Sequence, residues 1–432
     1  MELEKLETIA HQLSEMLPES VWQGKNADEI EAEVQKVMNQ LGNLVMGKQL
    51  LPARIEEIEQ EVEAGGIGCK TCGGSYQVHK RGVELHPKSL FGEQRLERTQ
   101  YVCSGCGKYE AVVDRVLGIE SHRMTPRLAV LVALCGASWS YQVASAFITF
   151  FLGIEVSAKT VSNVTRSETT QPAALPPDSL KRPPGVVEMD GVLIRGRERD
   201  QWLEMKVASF FSHTAEVSAG RKEVLDASFV ASSCQAWKDF EMPVTCEAQR
   251  RGLTCEEAIE FVADGAAGIW SVQEMVFPNA QTRLDLYHGK CKITERLRQA
   301  FGDTPQRETH QTAVMNCFET GLVDSAIVYL QAQRPAQSPA QDATDKLIGY
   351  LNRHRAHIPN YSQVRDEGGT VSSGLGEKAN DLIVARRMKD PVMHWSRDGA
   401  GPVIQHRTAF INQHSRSRTG PYETAFCFAF HQ

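Results

Sequence analysis

Residues 185–194 read Gly-Val-Val-Glu-Met-Asp-Gly-Val-Leu-Ile, and residues 259–265 read Ile-Glu-Phe-Val-Ala-Asp-Gly. Each is a short, β-branched apolar run bearing an aspartate followed by glycine, which predicts a strand. A carboxylate at Asp190, inside an apolar strand, is costly unless a cation or hydrogen-bond donors meet it. Asp264 ends its run before Gly265, as at the carboxyl end of a strand opening into a loop and helix. Binding sites collect there in open α/β sheets. Further strands are expected at 202–211, 215–218 and 281–286, with helices near 232–239 and at 266–276. Strands followed by a strand–helix–strand unit indicate a mixed α/β sheet. Residues 291–350 read as helical and polar, with a surface loop at 331–341.

A third carboxylate, Glu377, follows the small residues of Ser372-Ser373-Gly374-Leu375-Gly376, which lead into a helix. Three carboxylates converging on one point can hold two divalent cations about 4 Å apart, one beside the attacking and one beside the departing oxygen of a displacement at phosphorus. Hard oxygen ligands suit Mg²⁺, or Mn²⁺ in its place. No nucleophilic Ser, Tyr or Cys is needed for such chemistry.

The chain has 432 residues, 41% hydrophobic and 23% charged, enough for two to four structural units. Its longest apolar runs, 128–137 and 143–154, fall short of the roughly 20 residues a membrane helix needs. The start, MELEKLETIAHQL, lacks the features of a secretory signal. No membrane association and a cytoplasmic, nucleoid-associated location are therefore expected. The net charge of -7 is unevenly spread. Residues 1–68 hold 14 acidic and 5 basic residues, leaving 40 acidic and 42 basic in the remainder. A nucleic-acid partner, which needs basic residues against phosphate, is compatible with that remainder.

Cys69-Lys-Thr-Cys72-Gly73 and Cys103-Ser-Gly-Cys106-Gly107 are two knuckles, each followed by glycine. Two intervening residues let a tight turn present both thiolates to one ion, and four cysteines leave no open position, so one structural Zn²⁺ is expected. His79 and His86, between the knuckles, are expected at the surface. Before the knuckles, Leu3, Leu6, Ile9, Leu13 and Leu17, then Ile30, Val34, Val37, Leu41 and Leu44, recur at helical spacing. They predict a helical hairpin in preference to a dimerisation arm. After the knuckles, 125–169 reads as three helical pieces broken at 136–138 and at Gly153. The pair starting at Ser140 and Ser157 has the pattern of a helix-turn-helix, the first helix packing through Tyr141, Ala144 and Phe147. On the second helix Ala158, Lys159, Ser162 and Asn163 could face base edges; an ordinary helical hairpin has the same periodicity. Residues 171–184, with five prolines, read as a linker.

The ordered set of both CxxCG knuckles, Leu90-Phe91-Gly92-Glu93, Ser140-Tyr141, Val156-Ser157 with Thr160-Val161, Asp190-Gly191, Asp264-Gly265, Asp285-Leu286-Tyr287-His288 and Arg387-Met388-Lys389 with Trp395-Ser396 resembles insertion-sequence transposases of the ISKra family, over about residues 65 to 415. The resemblance implies a DDE transposase with an RNase H-like catalytic domain of α/β class, interrupted by an all-helical insertion. Asp190, Asp264 and Glu377 would be its triad, holding two Mg²⁺ ions. Asp285 and His288 match a D-x-x-H signature near the active site of related mutator-type enzymes, and Lys378 is a possible accessory residue there. The last motif departs from the family's usual Gly-Ser-Gly, apolar pair and Glu-Ser by having Gly376 and Lys378. The implied partners are double-stranded DNA, as terminal inverted repeats and target, and further copies of the chain when assembled on it. A silent or domesticated DNA-binding protein and a nuclease of the same fold are the alternatives.

The expected organisation is an acidic helical segment (1–64), a zinc ribbon (65–118), a helix-turn-helix region (119–170) and a linker (171–184). An RNase H-like part (185–290), a helical insertion (291–366), the second RNase H-like part (367–415) and a tail (416–432) follow.

Overall fold

A computed structural model of the protein describes residues 11, 13, 14, 17–120, 122–168, 185–218, 221–225, 227–254, 257–336, 338–390 and 392–414. The chain forms two compact units, Met1–Glu168 and Thr169–Gln432. The expected linker at 171–184 and tail at 416–432 lie outside the described residues.

In the first unit, helix α1 (Ala27–Val45) starts at a capping box, in which Asn26 and Glu29 each accept the other's backbone N–H. It carries the apolar positions 30–44, yet none of its residues is buried. Most of the other expected helix, at 3–17, lies outside the described residues. A π-helical turn (Met46–Leu50) leads into α2 (Leu51–Glu63), which buries Ile55, Ile58 and Val62. They pack with residues of the following ribbon, among them Leu85, Leu96, Tyr101, Val112 and Val113.

That ribbon is built from β1 (Tyr76–Leu85), the short ladder of β2 (Lys88–Ser89) and β3 (Gly92–Glu93), β4 (Leu96–Cys103) and β5 (Tyr109–Glu110). Its main sheet has the order β1-β4-β5, antiparallel throughout. After β5, Val112 and Val113 begin helix α3 (Val112–Val116), both fully buried in the cluster beneath α2.

Helices α4 (Pro126–Ser138), α5 (Tyr141–Leu152) and α6 (Ala158–Ser167) bury Leu128, Val132, Ala144, Ile148, Val161 and Val164 together. Ser140 and Ser157 cap α5 and α6, and Gly153, at φ +65°, turns the chain between them. Two expectations are corrected. The first break comes at Trp139–Ser140, because Gly136 stays inside α4: a Cβ there would lie 2.2 Å from Thr165 Oγ1, so glycine permits the α4–α6 contact. Phe147 points outward against Trp139 and Phe151, since Ile148, four residues after Ala144, takes the inner face.

In the second unit a five-stranded sheet is assembled from β6 (Val186–Arg195), β7 (Trp202–Phe211), β10 (Ser228–Ser232), β11 (Glu260–Ala263) and β12 (Gln281–Leu284). Strands β8 (His213–Ser218) and β9 (Arg221–Leu225) form a separate antiparallel ladder. The sheet order is β10-β7-β6-β11-β12, with β10, β7 and β6 antiparallel and β6, β11 and β12 parallel. Edge strand β10 was not expected, and the helix near 232–239 shortens to a turn at Trp237–Phe240 before α7 (Glu241–Arg250).

One face of the sheet, carrying Val187, Met189, Phe210, Ala263 and Leu284, packs on α7 and α8 (Ala267–Val276) through Phe240, Val244, Ile269 and Val272. The same cluster continues through α9 (Leu286–Phe301), α10 (Pro305–Glu319), α11 (Val323–Ala332), α12 (Ser338–Arg353) and α13 (Tyr361–Asp366). The loop expected at 331–341 is only the short stretch between α11 and α12. Against the other side of the sheet lie α14 (Gly374–Asn380), a π-helical turn (Asp381–Ala385) and α15 (Arg397–His414). No helix among the described residues is long and apolar enough to cross a membrane.

Candidate active site

Strand register brings the acidic residues together. In the parallel part of the sheet Met189 pairs with Ala263, and Ala263 with Leu284. The next residue on each chain is an aspartate, so Asp190, Asp264 and Asp285 occupy one row across three neighbouring strands spaced about 4.8 Å apart. Met189, Ala263 and Leu284 all face the apolar cluster, and alternation turns the aspartate row toward the opposite face, where α14 lies.

Each aspartate is held differently. Asp190 accepts from the Gly191 N–H at 2.7 Å and from Asn380 Nδ2 at 2.6 Å. Burial, then the nearby Asp264 carboxylate, pushes its carboxyl up to about 6. Asp264 accepts from the Ala266 N–H at 2.9 Å, at the start of α8. Gly265 follows at φ +97°, and a Cβ there would meet Leu284 and His354 at about 3 Å, so this corner requires glycine. Asp285 caps α9, with Oδ1 accepting from the His288 N–H at 2.6 Å and lying 3.1 Å from His288 Nδ1. Burial raises its carboxyl, but the bonds from His288 and Ser373 outweigh that and hold it below the ordinary value.

Glu377 is exposed on α14, its Oε1 3.9 Å from His288 Nδ1. His288 thus lies beside Glu377 and within electrostatic reach of Asp190 and Asp264. The Asp285 hydrogen bond, opposed by burial and helped by the charges of Asp285, Asp190 and Asp264, raises its imidazole to about 9. At neutral pH the site therefore carries its own cation. Lys378 lies 3.9 Å from Asp381 on the same helical run. Asp190, Asp264 and Glu377 converge on His288 but are not drawn into a closed shell. Among the described residues the one set of three or more potential ligands within 4.8 Å of each other is the cysteine quartet.

The sequence reading passed over Glu188. It is 1% exposed, two residues before Asp190 and therefore on the same face of β6. Its Oε2 accepts from the Gly376 N–H at 2.6 Å. Burial above all pushes its carboxyl up to about 8, so at neutral pH it is largely uncharged. The signal was available as a second acid at period two in an otherwise apolar strand. Asn380 and Ser373, which join α14 to Asp190 and Asp285, carried no sequence signal. From α12, the Tyr350 hydroxyl is buried without a hydrogen-bond partner and its pKa is raised by burial and then by the charges of Asp264 and Asp285.

In the first unit, Cys69, Cys72, Cys103 and Cys106 meet at the knuckle turns, with Sγ separations of 3.7 Å (69 to 106) and 3.4 Å (72 to 103). Gly73 and Gly107, both at φ +71°, close the two turns. Backbone N–H groups near Thr71 lower Cys69 to about 6, and those at Cys106 and Gly105 lower Cys103. The Gly74 N–H pulls Cys72 down as well, but its sulfur neighbours outweigh this and push it up to about 12. The quartet can hold a structural zinc. His79 is exposed against the Tyr109 ring, while His86 is half-buried beside Glu84 and Glu93. On α6, Lys159 and Asn163 are exposed while Ala158 and Ser162 are half-buried.

Neither family models nor curated proteins match this chain.

Proposed function

We propose that the protein is a DDE-type DNA transposase: the second unit is an RNase H-like catalytic domain with a helical insertion at α9 to α13, and the first unit binds DNA. The observation that carries the reading is the row of Asp190, Asp264 and Asp285 on adjacent parallel strands, with Glu377 on the helix packed against that face. Two antiparallel strands beside three parallel ones, in the order found, are also what an RNase H-like domain requires.

The donor set is all carboxylate oxygen at one partly open end of a sheet, which suits Mg²⁺ or Mn²⁺. Asp190, Asp264 and Glu377 would hold two such ions, which when bound supply the Lewis acidity for displacement at a DNA phosphate. Asp285 has both oxygens engaged by His288 and Ser373, so it fixes neighbours and is not itself a ligand. His288, kept protonated, balances the acidic charge and is placed to donate to a phosphate oxygen. In the first unit the zinc-stapled ribbon and the α5–turn–α6 pair would engage duplex DNA, with Lys159 and Asn163 exposed on the second helix.

The test is cleavage and strand transfer by the purified full chain on duplexes from the flanks of its own coding region. Mg²⁺-dependent products are expected with the wild type and none with D190N, D264N or E377Q, while all four bind the duplex alike. Undiminished products from D190N would reject the reading.

A further inference from the structure

α14, the helix that would present Glu377, runs without a break into the π-helical turn at Asp381–Ala385, and its inward face meets the sheet through polar groups. At its middle, the Gly376 N–H donates to Glu188 Oε2 at 2.6 Å. At its end, Asn380 Nδ2 donates to Asp190 Oδ2 at 2.6 Å. Both acceptors lie on β6, two residues apart on one face, and both are reached from helix positions that flank Glu377. Glu188 is 1% exposed and Asn380 6%. Asn380 keeps this bond while its own Oδ1 stays buried without a hydrogen-bond partner. An asparagine serving only to stabilise the fold has no reason to bear that cost.

Resting on the proposed function, we propose that Glu188 and Asn380 are positioning residues that clamp α14 to β6 and so set the distance from Glu377 to Asp190. Neither is a ligand or a reacting group. Glu188 acts through an oxygen that accepts a backbone N–H, and Asn380 through an amide that orients the Asp190 carboxylate. Gly376 and Asn380 bracket Glu377 on the first two turns of this helical run, so losing either bond lets those turns, and Glu377 with them, shift relative to the other acids. Outer groups of this kind typically change metal affinity by about 10- to 100-fold.

The experiment titrates Mn²⁺ alone into full-length protein by calorimetry, with thermal melting in parallel, for wild type, D190N, E188Q, E188M and N380A. Expected are tenfold or greater losses of Mn²⁺ affinity in E188M and N380A at nearly unchanged melting temperature, with E188Q close to wild type because its amide oxygen still accepts the Gly376 N–H. Equal losses in E188Q and E188M would overturn the clamp, since charge or direct ligation would then be what matters. If E188M does not fold, N380A decides: wild-type affinity there overturns it as well. D190N separates the two levels. Should D190N bind Mn²⁺ like the wild type, the metal-site reading fails and takes the clamp with it; should D190N alone lose binding, only the clamp falls.

Discussion

Asp285 and Ser373, 88 residues apart, are joined by two hydrogen bonds: Asp285 Oδ2 accepts the Ser373 backbone N–H at 2.5 Å and its hydroxyl at 2.9 Å. With Oδ1 taken up by His288, this one carboxylate ties the end of β12 to both α9 and the start of α14. It is 1% exposed, and its two bonds with Ser373 are made away from water.

Replacing Asp285 by alanine should therefore leave four donors without their acceptor and cost about 3 kcal/mol; Ser373→Ala, which removes one bond, should cost about 1 kcal/mol. Urea unfolding measures both. Because the folded Asp285 carboxyl lies below its ordinary value, its contribution is present at neutral pH and is lost as pH falls through that lowered value. A D285A protein as stable as the wild type would remove Asp285 from this role.

His288 should titrate near pH 9 in metal-free protein, against an ordinary 6.5. A raised histidine stabilises the fold fully below its unfolded value, and that contribution disappears as pH climbs from about 6.5 through about 9. Nuclear magnetic resonance of the imidazole carbons gives the midpoint directly. In D285N the midpoint should drop by more than one unit; a His288 that titrates near 6.5 in the wild type contradicts the geometry.

Asp190→Asn should make metal-free protein more stable at pH 7, by about 1 to 3 kcal/mol. The carboxyl is raised from 3.8 to about 6 in the fold, so folding binds a proton between those values and stability declines as pH rises through them. Asparagine removes the charge and still accepts from Asn380. Mn²⁺ should raise the melting temperature of the wild type and leave that of D190N unmoved. A melting temperature lowered by D190N without metal would show that the Asp190 charge is not a strain on the fold.

The ribbon should contain about one zinc per chain, and Cys103→Ser should lose it. Cys103 is 2% exposed and ends the strand that carries the buried Tyr101, so collapse of the quartet should loosen the apolar cluster under α2. Elemental analysis gives the metal content, and proteolysis between residues 65 and 118 reports the loosening. Protein that is metal-free, folded and resistant would sink the zinc assignment.

The local features were legible in the chain. The two CxxCG knuckles, the Ser140 and Ser157 caps, Gly153 and the strand bearing Asp190 depend on residues close in sequence, where spacing and propensity act directly. Gly136 and Phe147 were misjudged for the opposite reason: a glycine can serve a helix contact as well as a break, and which side of a helix is inward depends on what packs there. Edge strand β10 and helix α7 had too little pattern to stand out alone.

Sequence alone thus marked out four thiols able to take one ion, and acids set in apolar strands where only a cation or donors make them tolerable. The tertiary structure decided their company. Register across β6, β11 and β12 aligned Asp190, Asp264 and Asp285, and the packing of α14 added Glu188, Ser373 and Asn380. Pairing between strands and the seating of a helix arise from contacts 88 to 190 residues apart along the chain, and no local pattern encodes those.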